Sequence, residues 1–411
     1  MTSVLTRAPR LPRGVAFALQ VSIMVFLLAG SSAPTPLYAR YQAEWGFSPI
    51  TVTVVFGVYA LAVLAALLTV GSLSDHIGRR PVLLAALAVQ AVTMLVFATA
   101  TGVPALVVAR IVQGLSTGAV VGALGAGVID LHRVRGTIAN AVGPMTGTAV
   151  GAIGSAVLVQ YLPAPTRLVY LVIFAAFVVQ IVGVLLMADP STRRPGALAS
   201  LRPRFGVPPA ARRAFAAAVP GLVAVWALGG FYLSLGPALT RLVIGSSSTL
   251  VGGLAPLALA GAGALSVLVL HDTAPRRVMA IGVGALLAGV ALTVLAMSWH
   301  SAVVFFAGTV LAGVGFGAGF QGGLRTVVPL ARPHERAGML STLYVVCYLA
   351  MGVPAVLGGV LVVHAGLLPA AREYSIAVMV LGAAALAGLV LGRRRAVDAV
   401  PCIPAAEAAA A

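Results

Sequence analysis

Twelve membrane-spanning helices in two bundles of six are what this sequence predicts, in an all-α polytopic membrane protein. Three observations carry the prediction. The first is composition: of 411 residues, 60% are hydrophobic and 9% are charged. A soluble domain carries about 25% charged residues and could not cover so apolar a chain. The second is an alternation of arginine from loop to loop. The third is one loop sequence that returns halfway along the chain.

The apolar segments fall, in order, at 15–38, 49–72, 80–100, 104–128, 137–160, 167–188, 214–240, 249–270, 278–298, 301–324, 337–363 and 374–392. About 20 residues suffice to cross a bilayer core as a helix. The first segment follows Arg7, Arg10 and Arg13 and contains Ala29-Gly30-Ser31-Ser32-Ala33, which could pass for a signal-peptide cleavage site. Its apolar run from Gly14 to about Leu37 exceeds the ~7–15 residues of a signal-peptide core, so it is read as a span.

All 26 basic residues are arginine. They sit at 7, 10 and 13 in the N-terminal tail, at 79 and 80 between helices 2 and 3, and at 133 and 135 between helices 4 and 5. Six more (193, 194, 202, 204, 212, 213) lie between helices 6 and 7, and 276 and 277 between helices 8 and 9. Arg325, Arg332 and Arg336 belong to the 10–11 loop, and Arg393, Arg394 and Arg395 to the tail. These loops share one side of the membrane. The other side holds only Arg40, Arg167, Arg241 and Arg372, and Arg110 is inside a span. Basic loops stay in the cytoplasm, so both termini are expected there, at the plasma membrane. The net charge of +17 is thus a topology signal, with nucleic acid excluded as a partner.

The longest connection, from Asp189 to Arg213, is rich in proline and arginine and is expected to lie against anionic headgroups. It divides the chain into an N-terminal six-helix bundle (1–188), a linker (189–213), a C-terminal bundle (214–392) and a tail (393–411). The halves echo each other. Asp75-His76-Ile77-Gly78-Arg79-Arg80 and Asp272-Thr273-Ala274-Pro275-Arg276-Arg277 both read Asp-x-x-x-Arg-Arg after the second helix of their half. Repeated halves around a central site are a transporter architecture.

Polar residues inside spans are few. On helix 4, Arg110, Gln113, Gly114, Thr117, Gly118, Val121, Gly122 and Gly125 follow helical spacing. Arg110 is expected to face the bundle interior or a water-filled cavity, since facing lipid would be costly. Helix 5 carries a stripe of Asn140, Gly143, Gly147 and Gly151 with Pro144; small residues allow close helix approach, and proline permits a bend. Helix 8 (Gly252, Gly253, Pro256) and helix 11 (Gly352, Pro354, Gly358, Gly359) have similar stretches.

The nine acids (Glu44, Asp75, Asp130, Asp189, Asp272, Glu335, Glu373, Asp398, Glu407) all fall in loops, tails or helix ends. The six histidines do the same, and Cys347 and Cys402 show no metal spacing. No metal or other cofactor is expected. An enzyme is disfavoured because no nucleophile constellation or phosphate loop is visible. An ATP-driven pump is disfavoured because a chain without lysine has no Gly-x-x-x-x-Gly-Lys.

Gly71-Ser72-Leu73-Ser74-Asp75-His76-Ile77-Gly78-Arg79-Arg80 resembles the 2–3 loop signature of the major facilitator superfamily, Gly-x-x-x-Asp-(Arg/Lys)-x-Gly-Arg-(Arg/Lys). His76 stands where a basic residue is usual. Arg110-Ile-Val-Gln113-Gly114 is similar to that superfamily's Arg-x-x-Gln-Gly on helix 4. Gly143-Pro144-Met-Thr-Gly147-Thr148 partly matches the Gly-Pro-x-x-Gly-Gly of proton-coupled antiporters, with Thr148 at the last glycine. Pro34-Thr35-Pro36 resembles the paired prolines of twelve-helix drug exporters.

The resemblance implies the major facilitator fold and alternating access, near the drug:proton antiporters. It implies that Asp75 faces the start of helix 11, where a helix dipole attracts a carboxylate. Arg79 or Arg80 would pair with Asp130, and Gly71 and Gly78 belong to the same gate. Helices 5 and 8, and 2 and 11, would meet across the halves, with Asn140, Gly143, Pro144, Gly147 and Gly151 as a sliding surface. Helices 1, 4, 7 and 10 would line the cavity through Ser31, Ser32, Arg110, Gln113, Thr117, Phe231, Tyr232, Ser234 and Gln321, joined by Tyr59 and Tyr344. The expected function is proton-coupled export of small organic molecules by a monomer. Without a mid-membrane carboxylate, the cavity suits neutral or weakly anionic substrates. An importer or facilitator of such a solute is the alternative, and a non-transporting sensor or scaffold a remote one.

Overall fold

The computed structural model describes residues 11–188, 195–332 and 334–398. Arg7, Arg10, Asp189, Pro190, Arg193, Arg194, Cys402, Glu407 and the end of the 393–411 tail lie outside the described residues. The protein is all-helical, and among the described residues twelve helices are long and apolar enough to cross a membrane. They are α1 (Arg13–Ser32), α2 (Pro49–Thr69), α3 (Arg79–Ala98), α4 (Val103–Leu131), α5 (Arg133–Tyr161), α6 (Pro165–Leu186), α7 (Arg212–Ser234), α8 (Thr249–Val269), α9 (Pro275–Trp299), α10 (Ala302–Val327), α11 (Arg336–Ala365) and α12 (Leu367–Asp398).

Local chemistry explains their ends. Pro49, Pro165 and Pro275 open α2, α6 and α9, where a missing N–H costs nothing and φ is pre-set. His132 Nδ1 accepts from Arg135 N–H (3.3 Å) at the start of α5, and Ser301 Oγ from Val304 N–H (3.4 Å) at the start of α10. Gly78 sits between the 2–3 turn and α3 at φ +100°, a conformation open to glycine and costly for other residues.

Helices 1 and 7 are shorter than their apolar segments suggest. The 15–38 segment stops at Ser32, turns through a 3₁₀ stretch at Thr35–Leu37, and restarts as a short helix, Tyr38–Trp45. The 214–240 segment stops at Ser234 and restarts as Gly236–Ile244. In each half the first helix breaks beside proline (Pro34 and Pro36; Pro237), because a proline ring cannot continue the hydrogen-bonded spiral.

Two groups of helices pack internally. In the first, α1 lies on α5, α2 on α4, and α3 on both α4 and α6. Their shared core holds Ile23, Leu27, Leu83, Leu87, Met94, Phe97 and Phe177. In the second, α9 lies on α10 and α12, and α7 on α10, α11 and α12, around Val225, Leu228, Leu239, Leu286 and Phe305. Between the groups, α5 meets α8 and α2 meets α11. The apolar clusters on this seam are small: Met145, Ala264 and Val267 on one side, and Phe56, Ala60, Met351 and Ala355 on the other. The two large cores are separate and meet along a seam of small residues, so each bundle can move as a body, because packed cores resist deformation. The outward surface is apolar: Val92, Val108, Val179, Leu265, Val303 and Val380 are all more than half exposed, as side chains facing lipid must be.

Candidate functional site

Arg110 is completely buried, seven residues into α4. Its Nε and Nη2 donate to the Tyr38 hydroxyl (3.1 and 2.7 Å), and Nη1 donates to the Ser31 carbonyl (2.7 Å) and to Gln113 Oε1 (2.8 Å). The rings of Tyr59, Tyr38 and Phe97 lie 5.2, 5.8 and 5.8 Å from the guanidinium carbon. No carboxylate neutralises the charge among the described residues. Directed dipoles and aromatic faces do it instead; a desolvated cation–π contact contributes up to about 2 kcal/mol.

The network continues inward. Gln113 Nε2 donates to the Gly30 carbonyl (3.0 Å), and Gln90 Nε2 on α3 donates to Thr117 Oγ1 (2.9 Å) and to the Gln113 carbonyl (3.2 Å). Arg110, Gln113, Thr117, Ser31 and Tyr59 are therefore gathered at one place, but as a lock between α1, α2, α3 and α4. This corrects the expected open charge. Four of the five N–H groups of Arg110 are engaged, so it does not present a free fork to a substrate. Ser32 is corrected likewise: its Oγ donates across to the Thr148 carbonyl of α5 (3.0 Å). Sequence reasoning missed Tyr38, Gln90 and Phe97. Gln90, an amide inside an apolar helix, was the available signal.

Three expected liners of the second half are also interior. Phe231, Tyr232 and Ser234 are buried. The Tyr232 hydroxyl lies 3.3 Å from Thr293 Oγ1 and 3.1 Å from Thr309 Oγ1, and Ser234 Oγ bonds back to the Gly230 carbonyl (2.7 Å). The face of α7 that carries them looks into its own bundle. A different α7 residue, Trp226, reaches the seam cluster around Phe56 and Met351. It makes an edge contact with Phe320 of α10 (5.3 Å) and a tilted one with Tyr348 of α11 (5.0 Å), and Tyr344 follows at 6.3 Å from Tyr348. All four rings are part-buried. Trp226 Nε1, with Gln321 Oε1 and Arg325 Nη1 farther along α10, is shielded from solvent without a hydrogen-bond partner among the described residues, as are the Oε1 atoms of Gln20, Gln90 and Gln180 in the first bundle. Buried polar atoms are rarely left so.

The residues expected to form a gate lie at the arginine-rich end. Arg79 Nη1 donates to Asp130 Oδ2 at the end of α4, and Arg80 Nη2 donates to the Leu185 carbonyl of α6. Gly71 is required at its turn, where an added methyl would meet the Leu67 carbonyl at the end of α2. Asp75 differs from expectation. It is exposed, and its short helix Ser74–Ile77 packs on α3, α4 and the linker helix Ala197–Ser200. The short helix has no extensive packing on α11 among the described residues, and the linker lies on the loop: Ser72 Oγ donates to the Ser200 carbonyl (3.2 Å), and His76 Nδ1 lies 3.1 Å from the Pro195 carbonyl. Farther along, Gly206 N–H donates to Thr342 Oγ1 of α11 (3.1 Å). The linker thus touches both halves. In the second half, Asp272 pairs with its neighbour His271 (2.8 Å), and Arg276 and Arg277 are exposed.

The α5 glycine stripe is a further correction. Methyls added at Gly143, Gly147 and Gly151 would strike Met24, the Val25 carbonyl and Leu28, and the Ala29 carbonyl, all on α1; Asn140 faces Gly125 of α4. Pro144 is within α5. The stripe seats helices of one bundle against each other. The seam uses another face, where a methyl at Gly253 of α8 would lie 2.6 Å from Ala156 Cβ and one at Gly263 would lie 3.2 Å from Met145 Sδ. Gly57 and Gly352 do face each other across α2 and α11, and Gly359 abuts Thr53.

At the end opposite the arginines the halves are tied. Gln160 Oε1 at the end of α5 accepts from Ser248 Oγ and from Thr249 N–H at the start of α8, both at 3.2 Å, and the 3₁₀ turn Thr35–Leu37 packs on α8.

The sequence pattern described as the Major Facilitator Superfamily matches residues 21–290. Solved structures share the fold. A bacterial homologue of the human lysosomal transporter Spinster, inward-facing and occupied, has a TM-score of 0.70 at 14% identity, covering 93% of this chain and 97% of its own. A point mutant of the nucleoside transporter NupG gives 0.67 at 14% identity, with 90% and 99% covered. The human organic anion transporter MFSD10 gives 0.66 at 18% identity, with 92% and 100% covered.

Proposed function

The chain belongs to the Major Facilitator Superfamily, and from that premise we propose that it exports small neutral or weakly anionic organic molecules by alternating access, driven by protons. Both termini are cytoplasmic and the protein works as a monomer in the plasma membrane. The observation that carries the substrate class is the aromatic group Trp226, Phe320, Tyr344 and Tyr348 with its unpaired polar atoms. Planar apolar bodies stack on such rings, and Trp226 Nε1 and Arg325 Nη1 are donors that favour an acceptor or a diffuse negative charge. Among the described residues the acid deepest in a span is Glu373, six residues into α12 and exposed, so a permanent cation gains no partner mid-membrane.

Movement follows from the separation of the two cores. The conformation described is tied at the end opposite the arginines, at Gln160, Ser248 and Thr249. Rocking the bundles about α2–α11 and α5–α8 opens that end and brings the arginine-rich ends together. Asp75 then leaves the linker and reaches the start of α11, where free N–H groups and the helix dipole hold a carboxylate. The Arg79–Asp130 and Arg80–Leu185 bonds keep the 2–3 loop rigid through the swing. Asp130 is the nearest candidate for the coupled proton, being the carboxylate that the gate holds in an ion pair.

Transport into inverted vesicles, with and without a protonophore, tests direction and coupling together. Accumulation that collapses on adding the protonophore is expected. Accumulation only in right-side-out vesicles would instead identify an importer.

A further inference from the structure

An open cavity of about 380 Å³ lies across the seam at the end opposite the arginine-rich loops, lined by Ala39, Arg40, Val159 and Gln160 of the first half and Arg241, Ser247 and Thr249 of the second. Its chemistry is one-sided. Arg241 stands in the last turn of the short helix Gly236–Ile244. Its guanidinium lies against α8, with Nη1 3.6 Å from the place a methyl of Gly252 would take. It is part-buried, and no hydrogen bond or ion pair engages the guanidinium among the described residues. Burial pushes its pKa down. Arg40 spends its Nε on Glu44 (2.7 Å), leaving both terminal amino groups of its fork unbonded among the described residues. The Gln160 side-chain carbonyl is taken by Ser248 and Thr249, which leaves its amide N–H₂ as a donor, and Ser247 and Thr249 add hydroxyls. Glu44, the acid nearest in sequence, is already paired with Arg40.

We propose that this cavity is an anion site for a small oxyanion, a carboxylate or a tetrahedral sulfate- or phosphate-like group, held between Arg40 and Arg241. Two arginine forks and an amide are the donor set such groups bind. The site draws its ligands from both halves, so it is complete only while this end is closed. Opening separates Arg40 from Arg241 and removes the site. By linkage, an oxyanion at this face favours the closed arrangement and slows its opening. That coupling rests on the alternating-access reading; binding itself does not.

The test uses the full-length protein. In detergent, sodium sulfate is titrated against sodium chloride at matched ionic strength while thermal unfolding is followed. A sulfate-specific rise of several degrees is expected in wild type. Arg241→Gln and Arg40→Gln should each lose most of it, and Arg241→Lys should keep part. An equal rise in Arg241→Gln would overturn the site, because the effect would then be a general one of sulfate. Because Arg241→Gln could simply misfold, Ser247→Ala on the cavity rim provides a milder variant. Its sulfate midpoint should shift two- to fivefold, and an unchanged midpoint counts against the site. Nanodiscs with and without anionic lipid separate a lipid phosphate from a free anion: loss of the sulfate effect on adding anionic lipid identifies the headgroup, and persistence identifies a soluble ligand. For the coupling, a cysteine placed at Ala152, buried on α5 beneath the closed end and outside the cavity lining, in a Cys402→Ser background, should be labelled by a maleimide at least threefold more slowly with sulfate than with chloride. Equal rates alongside intact sulfate binding would remove the alternating-access link and leave the anion site standing.

Discussion

Arg110 is the most exacting residue of the account. Replacing it with alanine strips the Tyr38 hydroxyl, the Ser31 carbonyl and Gln113 Oε1 of their donors. Three buried groups left unsatisfied at about 2 kcal/mol each cost about 6 kcal/mol. Against this, the protein no longer buries a cation without a counter-charge, which returns roughly 3 kcal/mol. The net loss is therefore about 3 kcal/mol, or about 6 °C at roughly 2 °C per kcal/mol. Arg110→Lys is the sharper variant. It keeps the desolvated charge and loses the planar fork that spans Tyr38, Ser31 and Gln113, so it should destabilise at least as much as alanine. Thermal unfolding of the purified variants, read by size-exclusion of the heated protein, gives both values. If Arg110→Lys unfolded within about 1 °C of wild type, the lock would not be what holds α1 to α4. If Arg110→Ala were stable yet lost substrate binding, the open-cavity reading of this arginine would be restored.

Other outcomes follow from the same picture. Gly253→Leu drives a side chain into Ala156 and the Ala152 carbonyl across the seam; it should cut transport at least tenfold while the protein still inserts, and wild-type flux would show that α5 and α8 do not stay in contact. Gly147→Ala strikes α1 within one bundle, so it should lower thermal stability more than it changes the ratio of turnover to binding. Asp75→Asn should keep substrate binding and lower turnover at least tenfold; normal turnover would reduce the 2–3 loop to a topology signal. Reporters fused after Arg80, after Arg204 and at the C-terminus should give cytoplasmic signals, and one after Trp299 an external signal. A reversed signal at the C-terminus would mean an odd number of spans.

What the chain discloses of itself follows from which forces act locally. Span count was legible because each apolar run is long enough to cross a bilayer and is bounded by a polar loop, one run at a time. Helix ends were less so: the breaks at Ser32 and Ser234 depend on Pro34, Pro36 and Pro237, which an apolar run hides. Stripes of glycine were visible on α5, yet periodicity says only which residues share a face and not which neighbour that face meets. Gly143, Gly147 and Gly151 accordingly belong to α1, while Met145, Ala152 and Ala156 reach α8. The burial of Arg110 could be anticipated from the cost of placing a charge in lipid. Its partner Tyr38 could not, since it lies 72 residues away beyond a proline break. The aromatic group around Trp226 was expected only at Tyr344, while Trp226, Phe320 and Tyr348 escaped for a similar reason. Its rings come from α7, α10 and α11, and the unpaired atoms beside them become evident only when those helices are assembled.

The central claim is the proposal that two bundles alternate around the aromatic group at Trp226 and carry neutral and weakly anionic molecules. The most direct test is a competition panel in proteoliposomes, using matched aromatic compounds that differ only in bearing no charge, a carboxylate or a quaternary ammonium group. Any transported reporter will serve, measured against wild type and Trp226→Ala. The account predicts that the neutral and carboxylate members compete at least tenfold better than the ammonium, and that Trp226→Ala weakens all of them. A panel in which the quaternary ammonium compound competes best, and Trp226→Ala changes nothing, would contradict it.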